Sequence, residues 1–467
     1  MTERADIVII GGGPGGYLAA LRGAQLGKKI VLVEEDRIGG TCINVGCIPT
    51  KYLLHQTKIY HEVRRAKTLD GPLAEIRVDW GKVQAGRKAV VDRLVAGLEF
   101  LLAKGKVNVL KGTAVLREDG TALVRTEGGE SLVAAEKTIL AAGSRSADLP
   151  FLQPDGRLVV TSTEALEFPE VPKSLLVIGA GAIGLELASV YSRLGTEVTV
   201  LEIMANVLPG TDREVSIRLE RSLKKQGMRI MTEARIEKAE VGESRVVLRG
   251  RGLRTDAPFE VSGEKVLLAA GRKPNTDRLF EGRVFLELDR AGFVKVGPGL
   301  EAGRPGMYAI GDIIGGKLLA HKAYHDAVVA AENAAGLLAR VDYNSLPTAV
   351  FTEPEFAAVG LTEEEAVEKG GLVRTGVFPL QASGRALTME AAEGLVKVVA
   401  DGKDRVIGAH LLAPGASELI PVLTMAVAKG LAIRDLASLI YVHPSLSEAV
   451  GEAALKAKGE ALHILNS

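Results

Sequence analysis

The chain has two cysteines, Cys42 and Cys47, in the run Gly39-Gly40-Thr41-Cys42-Ile43-Asn44-Val45-Gly46-Cys47-Ile48-Pro49-Thr50-Lys51. Several chemistries are open to such a pair. The plainest is two buried thiols. A disulfide between them would close a very short loop, worth roughly 2 kcal/mol in the chain-entropy picture, which is little for a chain of this size. Zinc is disfavoured, because four ligands are wanted and the only histidine nearby is His55. A reactive thiolate is the third. A thiol of pKa about 8.5 is mostly protonated at neutral pH and needs a cation or base beside it. Lys51 follows Cys47 by four residues. Far downstream, His443-Pro444-Ser445-Leu446-Ser447-Glu448 sets a histidine, whose pKa near neutrality suits proton transfer, close to a carboxylate. The same run also reads as a capping box, Ser445-x-x-Glu448, at a helix start.

A second kind of chemistry is written in glycine. Ile7-Val8-Ile9-Ile10 runs into Gly11-Gly12-Gly13-Pro14-Gly15-Gly16, and Leu175-Leu176-Val177-Ile178 runs into Gly179-Ala180-Gly181-Ala182-Ile183-Gly184. The two copies are offset by 168 residues and stay in register, without a gap, as far as Glu34 and Glu202. Each has the form strand, glycine turn, helix, strand, acid, with the acid 23 residues after the first glycine. That is the context a dinucleotide-binding fingerprint requires. Gly11 and Gly179 allow the tight turn. Gly13 and Gly181 let a pyrophosphate approach the backbone. Gly16 and Gly184 let helix pack on strand, and the helix N-terminus faces the phosphates. Glu34 and Glu202 would each accept hydrogen bonds from a ribose. Two such folds imply two dinucleotides, most simply a flavin and a nicotinamide. Glu202 brings negative charge where a 2′-phosphate would need cations, and Ile203, Met204 and Ala205 supply none, so NAD is expected over NADP.

These motifs must be carried by a large scaffold. A chain of 467 residues suggests about three or four domains. Lys plus Arg and Asp plus Glu both total 58, so no global basic field exists to hold nucleic acid or an anionic membrane. No run of about 18 uncharged apolar residues is present to span a bilayer. The N-terminus enters a strand-like run directly, without a basic region or a cleavable apolar region, so secretion is not expected and a cytoplasmic setting is. The apolar runs of each glycine copy read as parallel strands buried on both faces, and Leu187, Val190, Tyr191 and Leu194 share one helical face. A charged helical stretch is expected from about Lys51 to Lys104. Prolines 150, 154, 169 and 172 mark a boundary. From about 346, strands at 394–400 and 406–412 alternate with helices at 417–429 and 446–458, the texture of a separate α+β domain.

The cysteine segment resembles the redox-active disulfide of the flavoprotein disulfide reductases, the class I pyridine nucleotide-disulfide oxidoreductases, and the likeness covers nearly the whole chain. In detail it is similar to the branch that reoxidises the dihydrolipoyl groups of 2-oxo acid dehydrogenase complexes. The resemblance implies an α/β fold with two doubly wound Rossmann-like domains and a C-terminal α+β dimerisation domain. It divides the chain into an FAD-binding domain (1–150), an NAD-binding domain (151–274), a central domain completing the FAD site (275–345) and the dimerisation domain (346–467). It makes Cys42 the interchange thiol and Cys47 the thiol facing the flavin. It pairs Lys51, near the flavin, with Glu186. His443 becomes the proton acceptor, polarised by Glu448, and is brought to the cysteines across a homodimer interface. FAD contacts are implied at Gly11, Gly13, Gly16, Glu34, Thr41, Lys51, Gly112, Gly143, Asp312 in Ala309-Ile310-Gly311-Asp312, and Ala320. NAD contacts are implied at Gly179, Gly181, Gly184, Glu202 and Gly271. Lipoyl domains are the implied partners, with no metal, nucleic acid or membrane. The chain departs from the family's usual pattern at Ala142, at Tyr324-His325-Asp326 and at Tyr441, two residues before the histidine. The rival expectation is a related NAD(P)H-dependent disulfide or metal-ion reductase of the same fold. A non-catalytic subunit that kept the fold is disfavoured by the full set of redox residues.

Overall fold

The computed structural model describes residues 2–66, 68–69, 71–72, 75–281 and 286–466. The chain begins with β1 (Thr2–Ile10), α1 (Pro14–Gln25), β2 (Ile30–Glu34), α2 (Gly40–Val45), α3 (Cys47–Arg65) and α4 (Trp80–Lys104). Then come β3 (Asn108–Lys111), β4 (Thr113–Leu116), β5 (Ala122–Thr126), β6 (Gly129–Leu140), β7 (Ser144–Ser146), β8 (Val159–Val160) and α5 (Ser162–Ala165). The second glycine copy gives β9 (Ser174–Ile178), α6 (Ala182–Arg193), β10 (Glu197–Leu201), α7 (Arg213–Lys225) and β11 (Arg229–Met231). Strands β12 (Ala234–Val241), β13 (Val246–Gly252), β14 (Pro258–Gly263), β15 (Lys265–Leu268), β16 (Arg272–Pro274) and β17 (Met307–Ala309) lead to α8 (Ala320–Ala334). The C-terminal part holds β18 (Thr348–Val350), β19 (Glu355–Gly360), α9 (Glu363–Glu368), β20 (Val373–Pro379) and α10 (Gly384–Thr388). It ends with β21 (Leu395–Asp401), β22 (Val406–Ala413), α11 (Ala416–Lys429), α12 (Ile433–Ala437) and α13 (Glu448–Lys458).

These elements fall into two compact units. The first comprises Met1–Gln56, Arg77–Asp148 and Gly271–Val341. Its main sheet has the order β3-β2-β1-β6-β5-β4, with β17 added on β6. Strands β3, β2, β1, β6 and β17 run parallel, with Ile7 opposite Ile30 and Ile10 opposite Leu140. Ile7 and Ile9 pack into one core with Tyr17, Ala20 and Ala327 from the helices, while Val8 and Ile10 pack into another with Val33, Val124 and Ala309. Both faces of β1 are thus covered, as its unbroken apolar run requires. The chain leaves β1 on one side for β2 and returns on the other as β6. The C-terminal end of β1 is therefore a switch point of the sheet, the place where α/β proteins bind ligands.

The second unit comprises Thr57–Ile76, Leu149–Ala270 and Asp342–Ser467. A parallel sheet of order β11-β10-β9-β15-β8 repeats the glycine-turn architecture, with antiparallel β12-β13-β14 packed into the same core. The C-terminal part is an antiparallel sheet, β18-β19-β22-β21-β20, whose core includes Leu423 of α11 and Ala453 of α13. The expected strands and helices there correspond to β21, β22, α11 and α13. The last of these starts two residues later than its sequence pattern suggests. The Ser445 amide bonds Glu448 Oε2 at 2.8 Å, but the Ser445 hydroxyl bonds Ser447 Oγ, so only half of the capping box forms. The charged stretch read as helical from 51 to 104 is two helices, α3 and α4. Asp79 separates them by capping α4 through the Lys82 amide at 3.0 Å. Among the described residues no helix is long and apolar enough to cross a membrane, and none group as a metal site.

Candidate active site

The first glycine turn lies at the β1 switch point. Gly11 takes a left-handed backbone (φ 102°), and a Cβ on Gly16 would stand 1.7 Å from its carbonyl oxygen, so the helix can approach the turn only because Gly16 has no side chain. Helix α1 starts at Gly13 with no side-chain cap, which leaves its N-terminus to an outside anion. Glu34, at the end of β2, accepts hydrogen bonds from the Gly12 amide at 2.6 Å and the Asp36 amide at 2.9 Å. Burial pushes its carboxyl up, against those two amides. Two of its roughly four acceptor positions are used on its own loop, and the others suit a ribose diol. Gly112 donates its amide to the Glu34 carbonyl at 2.9 Å, so these two expected FAD contacts are neighbours. The built site fits a dinucleotide.

The cysteines leave the same loop. Gly39 and Gly40 adopt left-handed backbone (φ 100° and 54°), start α2, and carry the exposed Thr41. Asn44 Nδ2 latches this short helix to the carbonyls of Ile38 and Gly40, each at 3.1 Å. Cys42 sits in the middle of α2. Cys47 is the first residue of α3, a helix N-terminus that favours a thiolate. Both are present as thiols, partly buried. Hydrogen bonding to Cys47, then burial, then the charge of Cys47 push the Cys42 thiol up, while Lys51 works the other way. The hydrogen bond to Cys47 and burial thus disfavour loss of the Cys42 proton. Tyr17 of α1 and Tyr324 of α8 stand beside them, hydroxyl to hydroxyl at 2.9 Å with rings edge-on at 6.1 Å. Burial, first of all, raises the pKa of both phenols, and the nearby thiols add to it.

Asp312 lies in a single 3₁₀ turn after β17 and accepts from Ser144 Oγ at 2.5 Å. Arg272, one residue after Gly271, reaches the same serine. Gly143 (φ 69°) is bonded through its carbonyl to the Asn275 amide at 3.0 Å. Ala320 is the first residue of α8. Gly271 has open space around it, with only Ala147 Cβ at 4.0 Å.

The second unit holds the remaining predicted residues. Its glycine turn repeats the first: Gly179 has φ 106°, Gly181 begins α6 with no side-chain cap, and Gly184 packs on Gly179. Glu202 is buried and accepts from the Ala180 amide at 2.7 Å and the Met204 amide at 2.8 Å. Glu186, also buried, accepts from the Phe351 amide at 3.0 Å. Near the C-terminus, His443 Nδ1 meets Glu448 Oε1 at 2.8 Å. Burial raises the Glu448 carboxyl slightly, but the Ser445 amide and the His443 ring hold it below the usual range. With Nδ1 engaged, Nε2 is the nitrogen left for proton transfer, and the His443 side chain is 81% exposed. Cys42, Cys47, Lys51 and Asp312 thus belong to one unit, and Glu186, Glu202, His443 and Glu448 to the other.

Residues to which the sequence assigned no role are Ser144 and Arg272, beside Asp312, Lys322 and Asp326, bonded to Gly311, and Tyr17. Arg272 stands in the same motif as Gly271, and Lys322 and Asp326 have ion-pair spacing on a helix. Those two signals could have found three of them.

Comparison with known proteins agrees with this geometry. Residues 5–334 match the family model for pyridine nucleotide-disulphide oxidoreductases, and residues 346–454 match the dimerisation domain of the same family. The chain is 43% identical over 463 residues to the dihydrolipoyl dehydrogenase of Thermus scotoductus, covering 99% of each. It is 40% identical to the mitochondrial dihydrolipoyl dehydrogenase 1 of Arabidopsis thaliana, covering 99% of this chain and 92% of the relative. Among solved structures, LpdA of Mycobacterium tuberculosis superposes with a TM-score of 0.88 at 30% identity, covering 97% of this chain and 99% of that one. The HOCl-induced flavoprotein disulfide reductase RclA of Escherichia coli gives 0.86 at 28%, with the same coverage. The chain belongs to the pyridine nucleotide-disulphide oxidoreductases.

Proposed function

We propose that this flavoprotein disulfide oxidoreductase reoxidises protein-bound dihydrolipoyl groups, passing electrons through Cys42 and Cys47 and FAD to NAD+. The observation that carries the reading is the cysteine pair, Cys42 within α2 and Cys47 at the N-terminus of α3, in the same unit as a glycine turn and acid fit for a dinucleotide. Full-length likeness to dihydrolipoyl dehydrogenases gives the substrate class. FAD, when bound, takes the electron pair from the protein dithiol and passes it as hydride to NAD+.

The chain's own residues handle the sulfur chemistry. In the oxidised protein Cys42 and Cys47 form the disulfide. His443 accepts a proton from one substrate thiol through Nε2, with Glu448 orienting the ring. The substrate thiolate attacks Cys42, a mixed disulfide forms, and Cys47 leaves as thiolate, stabilised by its helix N-terminus. The second substrate thiol attacks the substrate sulfur bonded to Cys42 and closes the lipoyl disulfide, while its proton passes to Cys42, which leaves as a thiol. The proton then rests at Cys42, whose deprotonation the hydrogen bond to Cys47 and burial disfavour. Lys51 and Glu186 serve at the flavin. Gly11, Gly13, Gly16, Glu34, Thr41, Gly112, Gly143, Asp312 and Ala320 hold FAD. Gly179, Gly181, Gly184, Glu202 and Gly271 hold NAD, and Glu202 with its apolar neighbours excludes a 2′-phosphate.

The four-domain division drawn from the sequence belongs to the same proposal. So does assembly as a homodimer whose sites are shared, supported by the dimerisation-domain match at 346–454 and by Ile440 and Val442, 101% and 76% exposed around His443. Lipoyl domains are the proposed partners, and the cytoplasm the proposed setting. The deciding assay is steady-state oxidation of dihydrolipoamide with NAD+ and with NADP+. Turnover with NAD+ is expected to dominate. Turnover of another disulfide or a metal ion, with dihydrolipoamide inert, would move the assignment to a different reductase.

A further inference from the structure

Asp312 is held from two sides by buried polar groups that no flavin role in the sequence reading accounts for. On the side-chain face, β7 and β16 form a two-stranded antiparallel ribbon that pairs Arg272 with Ser146 and Pro274 with Ser144, so Arg272 reaches Ser144 along the diagonal of one face. Arg272 donates from Nε to Ser144 Oγ at 2.7 Å and from Nη2 to the Ser144 carbonyl at 2.6 Å. Since its oxygen already accepts from Arg272, the serine hydroxyl directs its single proton to Asp312 Oδ2, at 2.5 Å. Ser144 is 6% exposed and the Arg272 side chain 15%.

On the backbone face, the residue before Asp312 is gripped at both of its polar groups. Gly311, with φ 74°, gives its amide to Asp326 Oδ2 at 3.0 Å, and its carbonyl accepts from Lys322 Nζ at 3.2 Å. Lys322 and Asp326 are themselves bonded at 2.9 Å, one turn apart on α8, with side chains 4% and 0% exposed. Burying two charges is costly unless geometry and hydrogen bonds compensate. Here both charges also bind the peptide that sets the direction of Asp312.

We propose that Ser144, Arg272 and the Lys322–Asp326 pair are positioning residues that aim the Asp312 carboxylate at the flavin before the cofactor arrives. The inference rests on the reading of the first unit as a flavin site. It assigns to four further side chains the retention of that cofactor. A carboxylate already fixed in place loses little freedom on binding, whereas a released one must be ordered each time. Oδ2 is engaged by the network, and a carboxylate has a second oxygen to offer.

The test is flavin release from purified holoprotein, read by the rise in free-flavin fluorescence, together with the visible circular dichroism of bound flavin. S144A is expected to release flavin at least about tenfold faster and to change the dichroism, and S144T, which keeps the hydroxyl, to restore both. R272Q is expected to behave as S144A. Wild-type release and an unchanged spectrum in S144A would overturn the proposal, as would S144T behaving like S144A. Should R272Q not fold, the serine pair decides alone. A wild-type protein that takes up no flavin at all would instead fail the underlying reading, so the two failures are distinguishable.

Discussion

Replacing Gly184 by alanine would place a Cβ 2.1 Å from the Gly179 carbonyl oxygen, against 3.4 Å for an ordinary contact. The obstacle is backbone at the heart of the turn, so it cannot swing aside. The N-terminus of α6 must back away from β9 by about an ångström to make room. On the proposed assignment that end of the helix faces the pyrophosphate of NAD+, and a misplacement of about 1 Å in a binding element can cost on the order of 10²-fold. The expectation for G184A is therefore a drop of about 10²-fold in kcat/KM for NAD+, or about 2.7 kcal/mol. Reduction of the flavin by dihydrolipoamide, followed anaerobically without NAD+, should stay near wild type, because the thiols and the first glycine turn belong to the other unit. Gly181 makes the contrast. A Cβ there meets nothing within 4 Å and its φ of −77° suits any residue, so G181A should leave the protein's stability unchanged and weaken NAD+ only by crowding the pyrophosphate. A G184A enzyme with wild-type kcat/KM for NAD+ would refute the assignment of this turn.

Cys47→Ser should abolish dihydrolipoamide oxidation, by about 10³-fold or more, while the protein stays yellow, because a hydroxyl cannot form the disulfide; full activity would refute the sulfur relay. Glu448→Gln removes the charge that orients His443, and should lower kcat with dihydrolipoamide by about 10-fold or more, with KM for NAD+ unmoved. Because Glu448 is held below the usual carboxylate range, it stays ionised in mild acid, and its support of His443 should fail only as pH falls through that lowered value. A stability prediction comes from Lys397, 2% exposed and bonded to Asp212 at 2.9 Å and Glu363 at 2.6 Å. Burial works against both ionised partners, but their pairing holds Asp212 below its ordinary value and Lys397 above its own. Their contribution should be present at neutral pH, fade in acid as Asp212 protonates, and fade again in strong alkali as Lys397 loses its proton. Asp212→Asn should cost about 2–4 kcal/mol in urea unfolding at pH 7, and markedly less at pH 3; an equal cost at both would refute the pairing. Ile440→Asp should yield a monomer that keeps flavin but oxidises dihydrolipoamide poorly, checked by light scattering and turnover; a fully active monomer would rule out shared sites.

The glycine turns were legible because their constraint is local. A left-handed residue, an approach that excludes Cβ and an acid at the end of the next strand are all consequences of one backbone shape, and each leaves a residue type at a fixed spacing. The C-terminal strands β21 and β22 were legible for a similar reason, as largely apolar runs broken only by Lys397 and His410 before the closing Asp401 and Ala413. The antiparallel β18, β19 and β20 were not, because Glu355–Gly360 and Val373–Pro379 owe their pairing to distant partners rather than to their own pattern. The split between α3 and α4 was missed because the charge pattern continues across it while Pro72 and the Asp79 cap break the backbone. Around Asp312 the aspartate itself could be picked out, but Ser144 and Arg272 could not be tied to it. They lie 168 and 40 residues away, and only the β7–β16 ribbon joins them.

The internal repeat separates what the two nucleotide sites share from what makes each particular. Positions that repeat at the offset of 168 answer a common need: Gly11 and Gly179 for the turn, Gly16 and Gly184 for the close approach, Glu34 and Glu202 for the acid that closes on its own loop amides. Two of the positions where the copies differ set a polar side chain against a leucine. Glu186 stands where the first copy has Leu18, and Tyr17 stands where the second has Leu185. A leucine at either place would serve packing alone. A buried carboxylate tied to the Phe351 amide, and a buried phenol bonded to Tyr324 beside the thiols, are there at a cost in desolvation that packing does not require. The cysteines lie just past Glu34, where the copies cease to correspond. On the proposed assignment, the common positions serve the two nucleotides, and Glu186 and Tyr17 mark where the two copies have diverged.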